Sequence, residues 1–184
     1  MKKSVISTKA IVAAAIGAAL FALAFMFIKV PSPIPATQIQ TAYGIGAFFA
    51  ALFGPIVGFL IAFIGHAVND IALFGSAWWS WIIASGISGL IIGLSFNKFD
   101  IENGVFGKKD IIIFNVYQVV AHLIAWLVIA PVLDIVIYAE PAAYVFTQGV
   151  FAAISNAVVT GIIGTLLLLA YSKTRTAKGS LKKK

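Results

Sequence analysis

The chain has 184 residues, of which 61% are hydrophobic and 10% are charged, and its net charge is +7. A soluble domain is about 25% charged, so this composition excludes a water-soluble fold. There is no cysteine in the sequence, which excludes disulfides, thiolate metal sites and cysteine nucleophiles. The basic residues flank apolar stretches, so lipid headgroups and membrane topology explain the positive charge better than nucleic acid does.

Five long stretches contain no Asp, Glu, Lys or Arg, and each exceeds the roughly 18 residues of a membrane-spanning helix. They are continuous and rich in Ala, Leu, Ile and Gly, whereas barrel strands alternate over about ten residues. The first stretch has the basic start of a signal peptide, but its apolar core is longer than the ~7–15 residues typical of one. We therefore expect it to remain as the first helix. The stretches are 10–28, 30–69, 71–97, 111–133 and 141–172.

The second stretch is too long for one helix, and the sequence Phe53-Gly54-Pro55 divides it. Proline lacks an amide donor and disfavours helix in the residue before it. The chain is thus predicted to be an all-α integral membrane protein, a single six-helix domain over residues 1–184. The predicted spans are 8–28, 38–53, 56–69, 80–96, 111–129 and 144–171.

Basic residues lie almost entirely on the side that holds both termini. Only Lys29 falls on the opposite side. By the positive-inside rule this pattern predicts a cell-membrane protein with both termini cytoplasmic, and a basic cytoplasmic tail over 172–184. The residues on the cytoplasmic side are Lys2, Lys3, Lys9, Lys98, Lys108, Lys109, Lys173, Arg175, Lys178 and Lys182–Lys184.

The predicted outer connections carry most of the chemistry. The first has three prolines, the third has an Asn-Asp pair and three tryptophans in four residues, and the fifth has Asp134 and Glu140. Interfacial aromatic belts and ordinary helix capping explain these residues too, but their concentration predicts an outward-opening site in which aromatic rings stack on a ligand. The candidate substrate-binding residues are His66, Asn69, Asp70, Trp78, Trp79, Trp81, His122, Tyr138, Tyr144 and Gln148.

Asn115, Gln118 and His122 are spaced i, i+3, i+7 and share one face of the fifth helix. Unpartnered polar groups are costly in lipid, so this face lines either a cavity or a polar helix contact. A structural hydrogen-bond ladder is an equal alternative for the first two residues, while His122 is placed toward the cavity.

Small residues recur every four positions on the first helix, at Ala10, Ala14 and Ala18, with Gly17 and other alanines beside them. Small side chains let another helix approach closely in lipid. Internal packing is the simpler explanation, and a docking face for a partner protein is the alternative. Glycine ladders on the fourth and sixth helices are assigned to internal packing.

Catalytic motifs are absent from the sequence. There is no HExxH, and an intramembrane hydrolase or metal site built from His66, Asp70 and His122 remains only a weak alternative. The string from Gly104 to Lys109 lacks the spacing and the Ser/Thr of a phosphate-binding loop, so any ATP must be hydrolysed by another subunit. A secondary transporter stays open, although Asp70 and Asp134 are placed peripherally rather than deep within spans.

Nearly the whole chain resembles the S component of an energy-coupling factor (ECF) vitamin transporter. Six spans, the alanine ladder and several strings carry the resemblance, and the strings are similar to a Gram-positive branch that includes CbrT-type cobalamin importers. These strings are Phe63 to Ala67, Trp78 to Trp81, Ile135 to Tyr138, Phe146 to Gly149, Ala153 to Asn156 and Tyr171 to Arg175.

The resemblance implies that the chain captures a vitamin, while a transmembrane coupling protein and two cytoplasmic ATPases supply the energy. No prosthetic group is implied. The partner-docking residues would be Ala10, Ala14, Gly17 and Ala18, and the proline-rich first connection would act as a lid. Cobalamin suits a wide, aromatic-rimmed cavity with amide and imidazole groups, while riboflavin and thiamine would also stack on tryptophan, and thiamine would favour an acid such as Asp70 or Glu140.

Overall fold

The computed structural model describes residues 7–175 and shows six helical rods with one short β-hairpin. Lys2, Lys3, Lys178, Lys182–Lys184 and most of the predicted basic tail lie outside the described residues. The helices are α1 (Thr8–Phe27), α2 (Ala42–Phe53), α3 (Pro55–Phe74), α4 (Trp79–Gly93), α5 (Lys108–Ile124), α6 (Ala130–Tyr138) and α7 (Ala142–Lys173). The remaining elements are β1 (Lys29–Pro31), β2 (Gln38–Gln40), a π-helical turn at Ala125–Ile129 and 3-10 turns at Phe96–Lys98 and Ile101–Asn103.

Five rods within the described residues are long and apolar enough to cross a membrane. The sixth, α2, has 12 residues and is about 18 Å long at 1.5 Å per residue, so it is shorter than the ~30 Å hydrocarbon core. The predicted all-helical membrane bundle is confirmed. The second span is shorter than the predicted 38–53 because its first residues form β2 instead.

The first connection is a β-hairpin rather than an irregular proline-rich loop. β1 and β2 pair antiparallel, with Lys29 opposite Gln40. The Ser32 hydroxyl donates to the Thr37 carbonyl at 2.7 Å and closes the turn between the strands. The alternation Gln38-Ile39-Gln40 is typical of a strand, and the hairpin stands at the end of the bundle opposite most of the lysines.

The break between α2 and α3 is confirmed at Gly54. This residue has φ +94°, a left-handed conformation that glycine adopts without steric cost. Pro55 follows at the first position of α3, where its missing N–H is not needed by the helix. The two helices are therefore joined by a single residue.

Two predicted spans end too early. α3 continues to Phe74 and ends on Gly75, rather than at residue 69. The fifth rod continues through the π turn into α6, because the Ala130 N–H reaches back five residues to the Ala125 carbonyl. This shift of register accommodates Pro131, which a regular helix interior would not tolerate. Asp134, which was placed peripherally in a connection, therefore lies on a helix inside the bundle.

Helix contacts in the bundle are made by small residues. A Cβ on Gly58 of α3 would stand 2.3 Å from the Gly89 carbonyl oxygen of α4, and a Cβ on Gly89 would stand 2.2 Å from that of Gly58. The two backbones touch, which is the packing mode expected where lipid gives no hydrophobic drive between helices. The assignment of the α4 ladder to internal packing agrees with this contact.

The predicted docking stripe on α1 is mostly inside the bundle, so that prediction needs correction. Ala14, Gly17 and Ala18 are buried and Ala10 is half-buried. A Cβ on Gly17 would meet the Ile61 side chain of α3 at 2.4 Å. Because these small residues already serve the close approach of α3, they are not free for a partner.

Glu102 ties three elements together at the end of the bundle opposite the hairpin. Its carboxylate pairs with Lys9 of α1 at 3.2 Å and with Arg175 just beyond α7. Partial burial acts to raise the pKa of Glu102, but the hydrogen bonds and positive charges of Lys9 and Arg175 outweigh it and lower that pKa below its ordinary value. This exposed cluster fixes the start of α1 against the end of α7.

Candidate functional site

A cavity of about 420 Å³ opens at the hairpin end of the bundle. The hairpin covers one side, while α3, α4, α6 and α7 supply the walls. Aromatic rings, amides and acids share the lining, which includes Phe25, Gln40, Tyr43, His66, Asn69, Asp70, Trp78, Trp81, Asp134, Glu140, Tyr144, Gln148, Ala152 and Asn156. This combination of apolar surface and few polar groups is typical of small-molecule sites.

Asp134 is the hydrogen-bonding centre of the aromatic wall. The indole N–H of Trp78 donates to its Oδ1 and the indole N–H of Trp81 to its Oδ2, each at 2.7 Å. The Ser80 hydroxyl donates to the same Oδ1. Asp134 is 1% exposed, so these bonds form away from solvent, where charge-assisted hydrogen bonds are strong. One carboxylate on α6 thereby fixes the orientation of two indoles at the start of α4.

A second polar chain runs under the cavity from Asp70 to Tyr43. His66 Nε2 lies 3.5 Å from Asp70 Oδ1, while His66 Nδ1 is 2.6 Å from Ser85 Oγ and that hydroxyl is 2.8 Å from the Tyr43 hydroxyl. Asp70 also accepts the backbone N–H of Trp78 at 3.2 Å. The chain holds α2, α3 and α4 in one arrangement and positions Asp70 at the cavity wall.

The order Ser85, His66, Asp70 has the composition of a hydrolytic triad, but its geometry does not serve catalysis. Ser85 is fully buried and does not line the cavity, so a nucleophile there has no access to a ligand. Between residues 7 and 175, no group of three or more His, Asp or Glu side chains could hold a metal ion.

A side-chain hydrogen bond joins the turn of the hairpin to α7 across the cavity mouth. Gln148 Nε2 donates to the Pro35 carbonyl at 3.0 Å, close to Ala36, which has φ +53°. Thr37 and Gln40 of the hairpin are buried against the bundle. The hairpin therefore covers one side of the cavity mouth, which is the position of a lid.

The structure brings seven of the ten predicted binding residues together around this cavity. All seven line it, and five of them are on α3 or at the start of α4. The seven are His66, Asn69, Asp70, Trp78, Trp81, Tyr144 and Gln148.

Trp79, Tyr138 and His122 are not brought to the cavity. Trp79 is 48% exposed because it points away from its two neighbouring tryptophans at the start of α4. Tyr138 lies behind the aromatic wall of the cavity. Its ring stacks on Trp78 at a centroid distance of 4.2 Å, and its hydroxyl accepts a hydrogen bond from the backbone N–H of Trp79.

His122 is fully buried in a contact between α5 and α7. Its Nδ1 accepts the indole N–H of Trp126 at 3.0 Å, and since an indole only donates, Nε2 carries the proton and donates to Thr160 at 2.9 Å. The placement toward the cavity is wrong for this residue, because the bulky Trp126 ring fills the space between. The polar face of α5 is a helix contact, which Asn115 continues by donating to Thr165.

Several lining residues were missed as site residues. Asp134 gives no local sequence signal, because the two tryptophans that donate to it are 53 and 56 positions away along the chain. Gln40 sits in a strand-like alternation next to the predicted lid, and Asn156 is two turns beyond Gln148 on α7. Tyr43 gives no sequence signal, because an aromatic residue near a span end is ordinary.

The all-helical membrane bundle agrees with the comparison to known families. Residues 5–173 match the family described as the ECF-type riboflavin transporter, S component. The chain belongs to this family. It is therefore a multi-pass membrane subunit of a transporter and not an enzyme.

Relatives at high identity cover the whole chain. A UPF0397 protein of Lactobacillus acidophilus is 48% identical over 183 residues, 100% of this chain and 99% of the relative. UPF0397 proteins of Enterococcus faecalis, at 50% over 181 residues, and of Clostridium perfringens, at 52% over 183 residues, cover 98% and 100% of this chain and 99% of each relative. The shared length supports a common fold from end to end.

Proposed function

We propose that this chain is the membrane-embedded substrate-binding subunit of an ECF-type vitamin importer, and that riboflavin is its first candidate substrate. The cavity at the hairpin end carries the proposal, because its walls combine aromatic rings on which a ligand can stack with amide groups. The matching family is described as a riboflavin transporter, which supports the same choice.

The volume of the cavity supports a small vitamin over a corrinoid. About 420 Å³ lies toward the low end of the roughly 300–1,000 Å³ found for pockets that enclose drug-sized ligands. Riboflavin and thiamine are of that size, whereas cobalamin is several times bulkier. Cobalamin is the substrate that the sequence resemblance suggested. To bind it, the hairpin would have to swing away from the cavity, and part of the corrinoid would remain outside the bundle.

The transport cycle needs partners, and we assign them by family membership. A transmembrane coupling protein and two cytoplasmic ATPases would supply the energy, with both termini of this chain cytoplasmic. We place the docking site next to the predicted stripe rather than on it. Ala15 and Ala19 are exposed small residues of α1, and they lie one helical turn apart beside the buried stripe. They offer a close approach to a partner helix.

The test is calorimetry with riboflavin, thiamine and cobalamin on the purified full chain, followed by uptake of any binder in cells with and without the coupling protein and ATPases. Tight binding of one vitamin, with uptake that requires the module, is the expected result. No binding of any vitamin, or uptake without the ATPases, would contradict the proposal and favour a transporter that acts alone.

A further inference from the structure

Ser85 of α4 carries a buried hydroxyl that touches two side chains of the cavity lining without reaching the cavity itself. Its Oγ lies 2.6 Å from Nδ1 of His66 on α3 and 2.8 Å from the hydroxyl of Tyr43 on α2. His66 and Tyr43 line the cavity, whereas Ser85 does not and is 0% exposed. Any effect of this hydroxyl on a ligand therefore passes through these two neighbours.

The protons of this chain of side chains can be placed from the chemistry of its ends. His66 Nε2 faces Asp70 Oδ1 at 3.5 Å, and because a carboxylate only accepts, the ring proton belongs on Nε2 and Nδ1 is left as an acceptor. The Ser85 hydroxyl then donates to Nδ1, and its oxygen accepts the proton of Tyr43. In the opposite direction the Tyr43 proton would have no other partner among the described residues, although Tyr43 is 4% exposed. Since buried donors are nearly always paired, the hydrogen bonds run from Tyr43 through Ser85 to His66.

The hydroxyl of Ser85 is what distinguishes the two nitrogens of the His66 ring. The face of this ring lies on Phe25 at a centroid distance of 4.5 Å, and such a contact does not depend on which nitrogen holds the proton. The tautomer of a histidine is set by the hydrogen bond that its other nitrogen makes. Without the hydroxyl the proton can move to Nδ1, and a bare Nε2 would then face the Asp70 carboxylate in the cavity wall, acceptor against acceptor.

The helix frame around Ser85 does not depend on its hydroxyl. α3 and α4 meet through the backbone contact of Gly58 and Gly89. The Tyr43 ring is also held by an edge contact to Trp126 at a centroid distance of 5.5 Å. Removing one hydroxyl therefore leaves the bundle in place and changes the protons and the orientation of groups that line the cavity.

We propose that Ser85 is a positioning residue for vitamin binding. Its hydroxyl fixes the Nε2–H tautomer of His66 and joins that ring to Tyr43, so the cavity holds one pattern of donors and acceptors before the vitamin enters. Groups that are already ordered save the free energy of ordering them on binding. This inference rests on the proposed function and adds to it a residue outside the cavity lining.

Histidine NMR reads the tautomer without a ligand, because the sequence contains two histidines. The full chain is labelled with ¹⁵N-histidine and purified in detergent, and the His66→Gln variant identifies the signals of His66. In the wild type both rings are expected as the Nε2–H tautomer, His122 through its bonds to Trp126 and Thr160. Ser85→Ala is expected to shift the nitrogen signals of His66 toward the other tautomer and to leave those of His122 in place. Unchanged His66 signals in Ser85→Ala would overturn the inference.

Ser88→Ala is the matched control for vitamin binding. Ser88 is 1% exposed, donates within α4 to the Ser85 carbonyl at 2.8 Å and does not line the cavity. Riboflavin, thiamine and cobalamin are titrated into each purified variant by calorimetry. The vitamin that binds the wild type is expected to bind Ser85→Ala about tenfold more weakly, the equivalent of one hydrogen bond, and to bind Ser88→Ala with wild-type affinity.

The outcomes separate this inference from the proposed function. Equal affinities of Ser85→Ala and Ser88→Ala, or a Ser85→Ala protein that does not fold, would overturn the positioning role while keeping the proposed function. No binding of any of the three vitamins to the wild type would overturn the proposed function itself, and the His66 signals would still show whether Ser85 sets the tautomer.

Discussion

Replacing Asp134 with alanine removes the acceptor that holds the aromatic wall of the cavity. Trp78, Ser80 and Trp81 all donate to this carboxylate. Ser80 is fully buried and Trp81 is half-buried, so after the substitution their donors have little water to turn to. Trp78 is 40% exposed, and its N–H can be rehydrated.

The magnitude follows from the two enclosed bonds. A hydrogen bond to a charged group contributes about 1.5–3 kcal/mol, and a buried donor left unpaired costs about as much. Counting Ser80 and Trp81 and discounting Trp78, Asp134→Ala should lower the free energy of unfolding by about 3–5 kcal/mol. Asp134→Asn keeps one acceptor oxygen and should cause a smaller loss, since only one donor must then face an amide N–H.

The assay is thermal unfolding of the detergent-purified protein followed by tryptophan fluorescence, together with vitamin binding by calorimetry. Asp134→Ala is expected to melt earlier than Asp134→Asn, and both should bind the vitamin more weakly because the indoles lose their orientation. Glu140→Ala, at the half-buried mouth, is the control and should change stability by less than about 0.5 kcal/mol. Wild-type melting and affinity in Asp134→Ala would refute the role given to this carboxylate.

Three further perturbations test the packing and the charge cluster. Gly149→Ala places a Cβ 2.2 Å from a backbone carbonyl oxygen of the π turn, whereas a Cβ on Gly107 would have its nearest neighbour 3.9 Å away. In a melting assay Gly149→Ala should lower the free energy of unfolding by about 1–3 kcal/mol, and the control Gly107→Ala should not lower it. Ala18→Trp should destabilise the bundle, while Ala19→Trp should fold and bind the vitamin but lose module-dependent uptake; the reverse order would restore the buried stripe as the docking face. The folded-state pKa of Glu102 is lowered, so its contribution to stability is present above the ordinary carboxyl pKa of 4.5 and is lost as pH falls through the lowered pKa. Glu102→Gln should therefore remove this loss of stability in acid. A melting temperature with the same pH dependence in Glu102→Gln as in the wild type would contradict this prediction.

The bundle could be predicted from the sequence because its causes are local. Long uncharged stretches, and the Gly54-Pro55 break in the second of them, fix the number and the rough position of the rods. The ends of α3 and α6 could not be predicted from the sequence. An apolar stretch ends at its first polar residue, whereas a helix continues past that residue if the polar side chain finds a hydrogen-bond partner. Asp134 is such a residue: its partners are 53 to 56 positions away along the chain, and no local pattern reveals them.

The candidate site was partly predictable for the same reason. Residues such as Asp70 and Trp81 stand near the outer ends of spans, so topology alone gathers them at one end of the bundle. Which way a helix turns its side chains depends on packing: Trp79 faces outward, and His122 is closed off by Trp126. The small residues of α1 show this limit most clearly, because composition cannot tell whether a stripe meets a helix of the same chain or of another.

The central claim is that the cavity under the hairpin is the vitamin site, and filling it is the most direct test. Ala152 of α7 is 2% exposed and lines the cavity, so Ala152→Phe places a ring in the space for the ligand. Calorimetric titration of this variant is compared with that of Ala19→Phe, whose substitution faces outward. The account predicts that Ala152→Phe stays folded and loses vitamin binding while Ala19→Phe keeps it; full affinity in a folded Ala152→Phe would contradict the account.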